Sequence, residues 1–243
     1  FYNSTVAEKI KKERKKKEKK KKKKRGTMAQ YIHFRNPNSE EIEKTLAEIP
    51  PAPGTCVFID IVGSTRIKYG SDLKSWGKKI NNTFNFISIL NDFPDNVVKG
   101  IGDEIMLYIP DEELAQKTSY NDYFSLLQEI HATIDNIRNF PIEGLFLPCK
   151  VAIHYCTDAY NITFLEGAND YYGKDIDLTA RLTSKARANR IVLSEAFYQK
   201  VREDYNQKYA SNTDCVMTGI SGKYLEDFKG VPEPTEFRIL DAC

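Results

Sequence analysis

The chain predicts an α+β domain, a ferredoxin-like βαββαβ sandwich with a small C-terminal αβ extension. Three observations carry this. Short apolar runs bounded by Gly, Pro and Asp alternate with two long stretches of helical apolar spacing. Two of the runs, 95–101 and 104–109, flank a tight Gly102-Asp103 turn, which is a hairpin signal. The 243 residues, 41% of them hydrophobic, suffice for one sizeable core, and no internal repeat is evident.

The elements follow in order. A mixed helix near 39–48 leads into the stiff loop Ile49-Pro-Pro-Ala-Pro-Gly54. Residues 55–61 read as a central strand. Ser71-Asp72 can cap a helix whose core positions are Leu73, Trp76, Ile80, Phe84, Ile87 and Leu90. After the hairpin, a second amphipathic helix over 121–140 places Tyr123, Leu127, Ile130, Ile134 and Ile137 on one face. Strands are expected at 148–156 and 159–164, a helix at 175–185, a short strand at 191–193 and a helix at 195–203. Strands at 215–220 and 236–240 close the chain.

Charge is segregated. The formal net charge is +2, but residues 1–27 hold 14 Lys/Arg and 3 Glu, leaving 22 basic and 31 acidic residues elsewhere, a net of −9. The Lys-rich segment has no apolar face and is expected to stay disordered. It reads either as an RNA or anionic-membrane tether or as an over-extended gene start, the protein then beginning at Met28. On the second reading, 28–51 is a lead-in and 52–243 the functional domain. The acidic body argues against nucleic-acid binding and suits divalent cations. Five scattered cysteines without metal-ligand spacing argue against a disulfide framework or zinc site and for a reducing cytoplasm. No apolar stretch is long enough to span a bilayer, and no signal-peptide h-region is read in the sequence.

Chemistry concentrates at two strand ends. Asp60 sits in the apolar run before Gly63, and Asp103 follows Gly102. A carboxylate buried without a partner is costly, so something must neutralise these acids. Taken singly, Asp60 reads equally as a buried salt-bridge partner and Asp103 as an ordinary turn acid. Brought together by strand pairing, they have the makings of a two-metal phosphoryl-transfer centre. The histidines carry less. His154 reads as a hydrogen-bonded structural residue in its strand, His131 as the edge of a helix face, and His33 as part of the lead-in.

Three motifs in order, Phe58-x-Asp60-Ile-x-Gly-Ser-Thr65, Lys99-x-Ile-Gly-Asp103 and Asp170-Tyr-Tyr-Gly173-x-x-x-Asp177-Leu-x-Ala-Arg181, resemble the class III nucleotidyl cyclase domain. The ending Phe228-Lys-Gly-Val-x-Glu-Pro234 is similar to that family's tail, so the resemblance spans roughly 52–240 and implies the class III cyclase fold. It implies that Asp60, Asp103 and the Ile61 carbonyl hold two Mn2+ or Mg2+ ions. Phe58 belongs to the substrate-side motif, and Val62, Gly63, Ser64 and Thr65 offer backbone N–H groups to the β- and γ-phosphates. Lys99 and Asp170 match the base-reading positions, and Arg181 the position that stabilises charge on the α-phosphate. A head-to-tail homodimer with two composite sites follows from the same resemblance.

Two departures bear on the substrate. Asp177 stands where adenylyl cyclases usually have Asn; an ionised Asp only accepts, and it needs pairing, from Lys174 or Arg181, near phosphate. Cys156 stands where the family usually has Gly. The run Tyr172-Gly-Lys-Asp-Ile-Asp-Leu-Thr-Ala-Arg181 most resembles the Pycsar pyrimidine cyclases of bacterial antiphage defence. That implies UTP or CTP as substrate, a cyclic pyrimidine nucleotide as alarm signal and a downstream cyclic-nucleotide-binding effector. Tyr171 and Tyr172 either narrow the base pocket or pack in the core. The Lys99/Asp170 pair resembles the adenine-reading one, so cyclic AMP is the alternative product. A catalytically silent nucleotide-binding module is a further alternative, which retention of Asp60, Asp103 and Arg181 opposes.

Overall fold

Strand β2 (Gly54–Ile61) lies inside a mixed sheet, and its alternate side chains enter two different layers. The computed structural model describes residues 29–33, 40–89, 93–139, 144–209 and 214–241. The Lys-rich segment, Met28, Leu90 and Phe140 lie outside the described residues. Before β2 come β1 (Gln30–Tyr31) and α1 (Glu40–Ala47), close to the expected 39–48.

The sheet has seven strands among the described residues. Their spatial order is β3 (Val97–Ile101), β4 (Glu104–Pro110), β2, β5 (Cys149–Cys156), β7 (Arg190–Ser194), β9 (Thr235–Asp241) and β8 (Ile220–Glu226). The first four are antiparallel neighbours in the order a ferredoxin-like βαββαβ unit requires. β7 joins β5 in parallel, and the β8–β9 hairpin completes the C-terminal extension. The α+β class and the sandwich are therefore as expected.

One face of the sheet carries Val57, Ile59, Ile61, Leu107, Ile109, Val151 and Ile153. It packs against α3 (Leu73–Ile89), α5 (Tyr123–Arg138) and α7 (Glu195–Lys208) through residues such as Ile87, Leu127, Ile134 and Phe197. Burying one such Ile or Leu contributes about 1.5–3 kcal/mol. The other face carries Cys56, Phe58, Met106, Tyr108 and Cys156 beneath Tyr171 and Ile176 of α6 (Lys174–Leu182). Further along, Ala152 and Val192 meet Leu182 and Phe228.

Three expectations are corrected. Residues 215–219 form helix α8 (Cys215–Gly219), because the Asp214 side chain accepts the Val216 and Met217 N–H groups and caps it. The strand is β8, which begins at Ile220; its exposed side chains give it no apolar alternation to read. Of 159–164 only β6 (Ile162–Thr163) is a strand, paired in parallel with β1. Leu73 is 68% exposed rather than core, since the first turn of α3 overhangs solvent.

Helix α5 starts at a capping box. The buried Asp122 carboxylate accepts the Ser125 N–H, and Ser125 Oγ accepts the Asp122 N–H. Lys208 of α7 reaches the same carboxylate at 2.7 Å, tying the two helices together. Burial opposes ionisation here, yet the hydrogen bonds from Lys208 and Ser125 outweigh it and hold Asp122 below its ordinary value. Its stabilising contribution is thus present above the ordinary Asp pKa and lost as pH falls through the folded value. Asp122→Ala is expected to lower unfolding free energy by about 1–2 kcal/mol at pH 7 in urea titrations. The gap to wild type should close as the pH drops below about 4.

Candidate active site

The strand register assembles a polar row at one end of the second face. Asp60 lies opposite Glu104 on β4 and opposite Lys150 on β5, just beyond the apolar row of Met106, Phe58 and Ala152. Lys150 Nζ stands 2.8 Å from Asp60 Oδ2, both side chains half-buried. Phe58 is buried and forms the apolar floor under this row.

Asp103 arrives from the β3–β4 turn. Its carbonyl accepts the Ile61 N–H at 3.1 Å, and its carboxylate accepts the Ser64 hydroxyl and lies 3.9 Å from Lys68 Nζ. Strand pairing thus brings Asp60, Ile61, Ser64 and Asp103 to one sheet edge. Asp60 is also a salt-bridge partner, as its plainer reading held, and Asp103 is more than a turn acid.

Glu104 is a third carboxyl that the sequence reading missed. Burial, repulsion from Asp60 and, more weakly, repulsion from Asp103 push it up to about 7, with Lys150 opposing. Counting alternation back from Asp60 across the hairpin would have found it. Lys150 needed the β2–β5 register and had no local signal.

The chain turns at Gly63, whose φ of 77° lies in the left-handed region, and enters α2 (Ser64–Gly70). The N–H groups of Gly63, Ser64 and Thr65 have no protein acceptor among the described residues. That of Val62 differs from expectation: it donates to the Pro148 carbonyl at 2.8 Å, extending the β2–β5 pairing, and is not free for phosphate.

A second polar group lies farther along the same face. Lys99 Nζ is 2.8 Å from Asp170 Oδ2 and sits over the Tyr172 ring, 5.6 Å from its centroid. Tyr171 is core: it stacks on Tyr108 with centroids 3.9 Å apart, and its N–H donates to Asp170 Oδ1. Tyr172, 36% exposed, is the aromatic left beside Lys99.

Asp177 and Arg181 project from α6. Gly173 precedes it at φ 151°, where a Cβ would collide with the Asp158 carbonyl oxygen. Asp177 is exposed and makes no ion pair among the described residues; Lys174, expected as its counter-charge, instead reaches Asp158 at 3.2 Å. Arg181, also without an ion pair, passes beside Gly230 of the Phe228-Lys-Gly230 tail, 3.5 Å from where a Cβ would stand. Neither residue bonds to the acidic row within one chain. His154 is also corrected. It is buried, neither ring nitrogen makes a hydrogen bond, and Asp175 Oδ1 is 3.6 Å from its Nε2.

Comparison with known proteins accords with this geometry. A family model described as the adenylate and guanylate cyclase catalytic domain matches residues 52–226, and the chain belongs to that family. It is therefore a class III nucleotide cyclase, a lyase domain that binds nucleotide, and class III cyclases use divalent metals such as Mg2+ or Mn2+. Among solved structures, the adenylyl cyclase CyaB from P. aeruginosa aligns with a TM-score of 0.56 at 18% identity, over 81% of this chain and 97% of that one. An adenylate cyclase from Trypanosoma brucei, in its monomeric state, aligns with a TM-score of 0.57 at 20% identity, over 80% and 92%. The guanylate cyclase domain of RhGC from Catenaria anguillulae, in complex with GTP, gives 0.56 at 16% identity, over 79% and 97%. These likenesses establish the shared fold. Comparison with curated protein sequences returned no match. No described helix is long and apolar enough to cross a membrane.

The acidic row fits a hard divalent cation. Its donors are carboxylate oxygens, and Glu104 is raised by burial first and then by the negative charge of Asp60 and Asp103, which Lys150 only partly offsets. Without metal, Glu104 prefers to be protonated in the folded state, so stability falls as pH rises from about 4.5 through about 7. Glu104→Gln is expected to stabilise the chelator-treated protein at pH 8 by about 1 kcal/mol after solvent screening and to be near neutral at pH 5. Urea denaturation at the two pH values measures this.

Proposed function

We propose that the chain converts a nucleoside triphosphate, preferentially UTP or CTP, to its 3′,5′-cyclic monophosphate and pyrophosphate, acting as a head-to-tail homodimer. The observation that supports the reaction type is the approach of Asp60 and Asp103 at one end of the sheet, tied by the Ile61 N–H bond to the Asp103 carbonyl, beside the Gly63–Thr65 N–H groups, which have no protein acceptor among the described residues. In the reaction the ribose 3′-oxygen bonds to the α-phosphorus, the bond to the bridging oxygen of the β-phosphate breaks, and the 3′-hydroxyl proton is released. Two Mn2+ or Mg2+ ions held by Asp60, Asp103 and Ile61 would supply Lewis acidity for the 3′-hydroxyl and the departing pyrophosphate.

The chain's own groups do the rest. The N–H groups after Gly63 bind the β- and γ-phosphates, while Lys99 and Asp170 hold the base. Arg181 balances charge growing on the α-phosphate, a planar fork that Lys would replace poorly. Asp177 accepts a hydrogen bond from the sugar. Among the described residues neither Arg181 nor Asp177 makes an ion pair, which supports their serving the partner subunit's site.

Tyr172, whose ring lies beside Lys99, would narrow the space for a base, which supports the pyrimidine preference. The intact Lys99–Asp170 pair, one donor and one acceptor, favours the second reading, cyclic AMP. We further propose that the product signals infection to a cyclic-nucleotide-binding effector in the cytoplasm.

The test is incubation with each NTP and Mn2+, with cyclic products identified by mass spectrometry. Cyclic UMP or cyclic CMP should dominate. Cyclic AMP alone would overturn the pyrimidine preference, and no product from any NTP would overturn the cyclase reading. Asp60→Asn and Asp103→Asn should each reduce turnover by about 100-fold or more. Tyr172→Ala should shift the ratio of pyrimidine to ATP turnover towards ATP by about 10-fold.

A further inference from the structure

A second, softer set of donors lies on the face that carries the acidic row, at the opposite end of β5. His154 and Cys156 alternate on β5 and therefore point the same way, and Asp175 descends on them from the first turn of α6. His154 and Cys156 are more than nine-tenths buried, and the Asp175 side chain is 12% exposed. One donor atom from each, the imidazole nitrogen, the thiol sulfur and a carboxylate oxygen, lies within 4.8 Å of the other two. Cys56, fully buried on β2, stands opposite His154 in register; its thiol lies outside the 4.8 Å group and would join it by rotating about its side chain.

The satisfied and unsatisfied groups are distributed as a metal site requires. Asp175 Oδ2 accepts the N–H groups of Thr157 and Asp158 at 2.7 and 2.8 Å, which fixes the carboxylate. Oδ1 is left turned towards His154 Nε2 at 3.6 Å, beyond the length of a charge-assisted hydrogen bond. Both His154 nitrogens are buried without a hydrogen bond, which is costly for a polar ring. Nitrogen and sulfur arms of about 2.0–2.3 Å around a tetrahedral ion would set donors about 3.3–3.8 Å apart, and the His154–Asp175 separation of 3.6 Å falls in that range.

We propose that His154 Nε2, Cys156 Sγ and Asp175 Oδ1 bind one Zn2+ ion, with the Cys56 thiol closing the fourth position, as a structural clamp fastening α6 to β5 and β2. The mixed N, S and O set is borderline soft and suits zinc rather than the Mg2+ or Mn2+ of the acidic row. Binding replaces the two thiol S–H bonds with Zn–S bonds and releases both protons to solvent. Burial, with Cys56 and Asp175 nearby, pushes the Cys156 thiol well above its ordinary value, so without metal it stays protonated and inert. The clamp sits in the first turn of the helix that carries Asp177 and Arg181, two residues before Asp177.

The full chain should hold one zinc per protein by elemental analysis, and Asp60→Asn with Asp103→Asn should leave that zinc in place. Cobalt substitution of the wild type should produce a thiolate-to-cobalt charge-transfer band, which Cys156→Ala abolishes and Cys56→Ala weakens. Wild-type protein that takes up no zinc against a chromophoric chelator and shows no such band with cobalt would overturn the proposal. Because the wild-type spectrum is read directly, a variant that fails to fold does not obscure the result. The readout is metal content rather than turnover, so it stands or falls separately from the cyclase reading.

Discussion

Strand β2 is covered on both sides, and that requirement organises the rest of the molecule. A strand buried on both faces must supply apolar side chains alternately to two layers. Val57, Ile59 and Ile61 meet α3 and α5, while Cys56 and Phe58 meet the layer under α6. The next residue on the second face is Asp60. By then the covering layer has ended, so a carboxylate is tolerated where one turn earlier it would be prohibitive. The edge of the apolar layer thus determines where charge can begin, and the site lies along that edge.

At the edge the charges are unbalanced in a useful direction. Three carboxyls, Asp60, Asp103 and Glu104, gather with Lys150 close to one of them and Lys68 at the limit of pairing with another. Glu104 absorbs the excess by holding its proton more tightly than an isolated glutamate does. Such a cluster is a poor device for stability, because repulsion and desolvation act together. It is a good device for attracting divalent cations, whose charge relieves both.

The two layers also divide the labour of holding the site. The hairpin delivers Asp103 through the Ile61–Asp103 backbone bond and the Ser64 hydroxyl, so the turn cannot drift from β2. On the other side of the face, Lys99 and Asp170 pair across a loop anchored by Tyr171 stacked on Tyr108. Helix α6 is held at its base by Asp175 and Gly173, leaving Asp177 and Arg181 projecting without an ion pair among the described residues.

Local sequence was enough for some of this. Apolar runs, helical spacing and the Gly102-Asp103 turn determined the βαββαβ order, and the strand-end acids, with Lys99, Asp170 and Arg181, were legible as motifs. These signals are short-range: a turn, a cap or a period is written within a few residues. Strand β8 was not legible, because an exposed edge strand has no alternation to mark it, and α8 depended on one capping aspartate. The partnership of Glu104 with Asp60, the capture of the Val62 N–H by Pro148, and the burial of His154 beside Cys156 and Asp175 were decided only by tertiary structure. Each depends on strand register or on which element covers a face. Those are relations between distant segments, set by packing the whole core at once rather than by any stretch of chain alone.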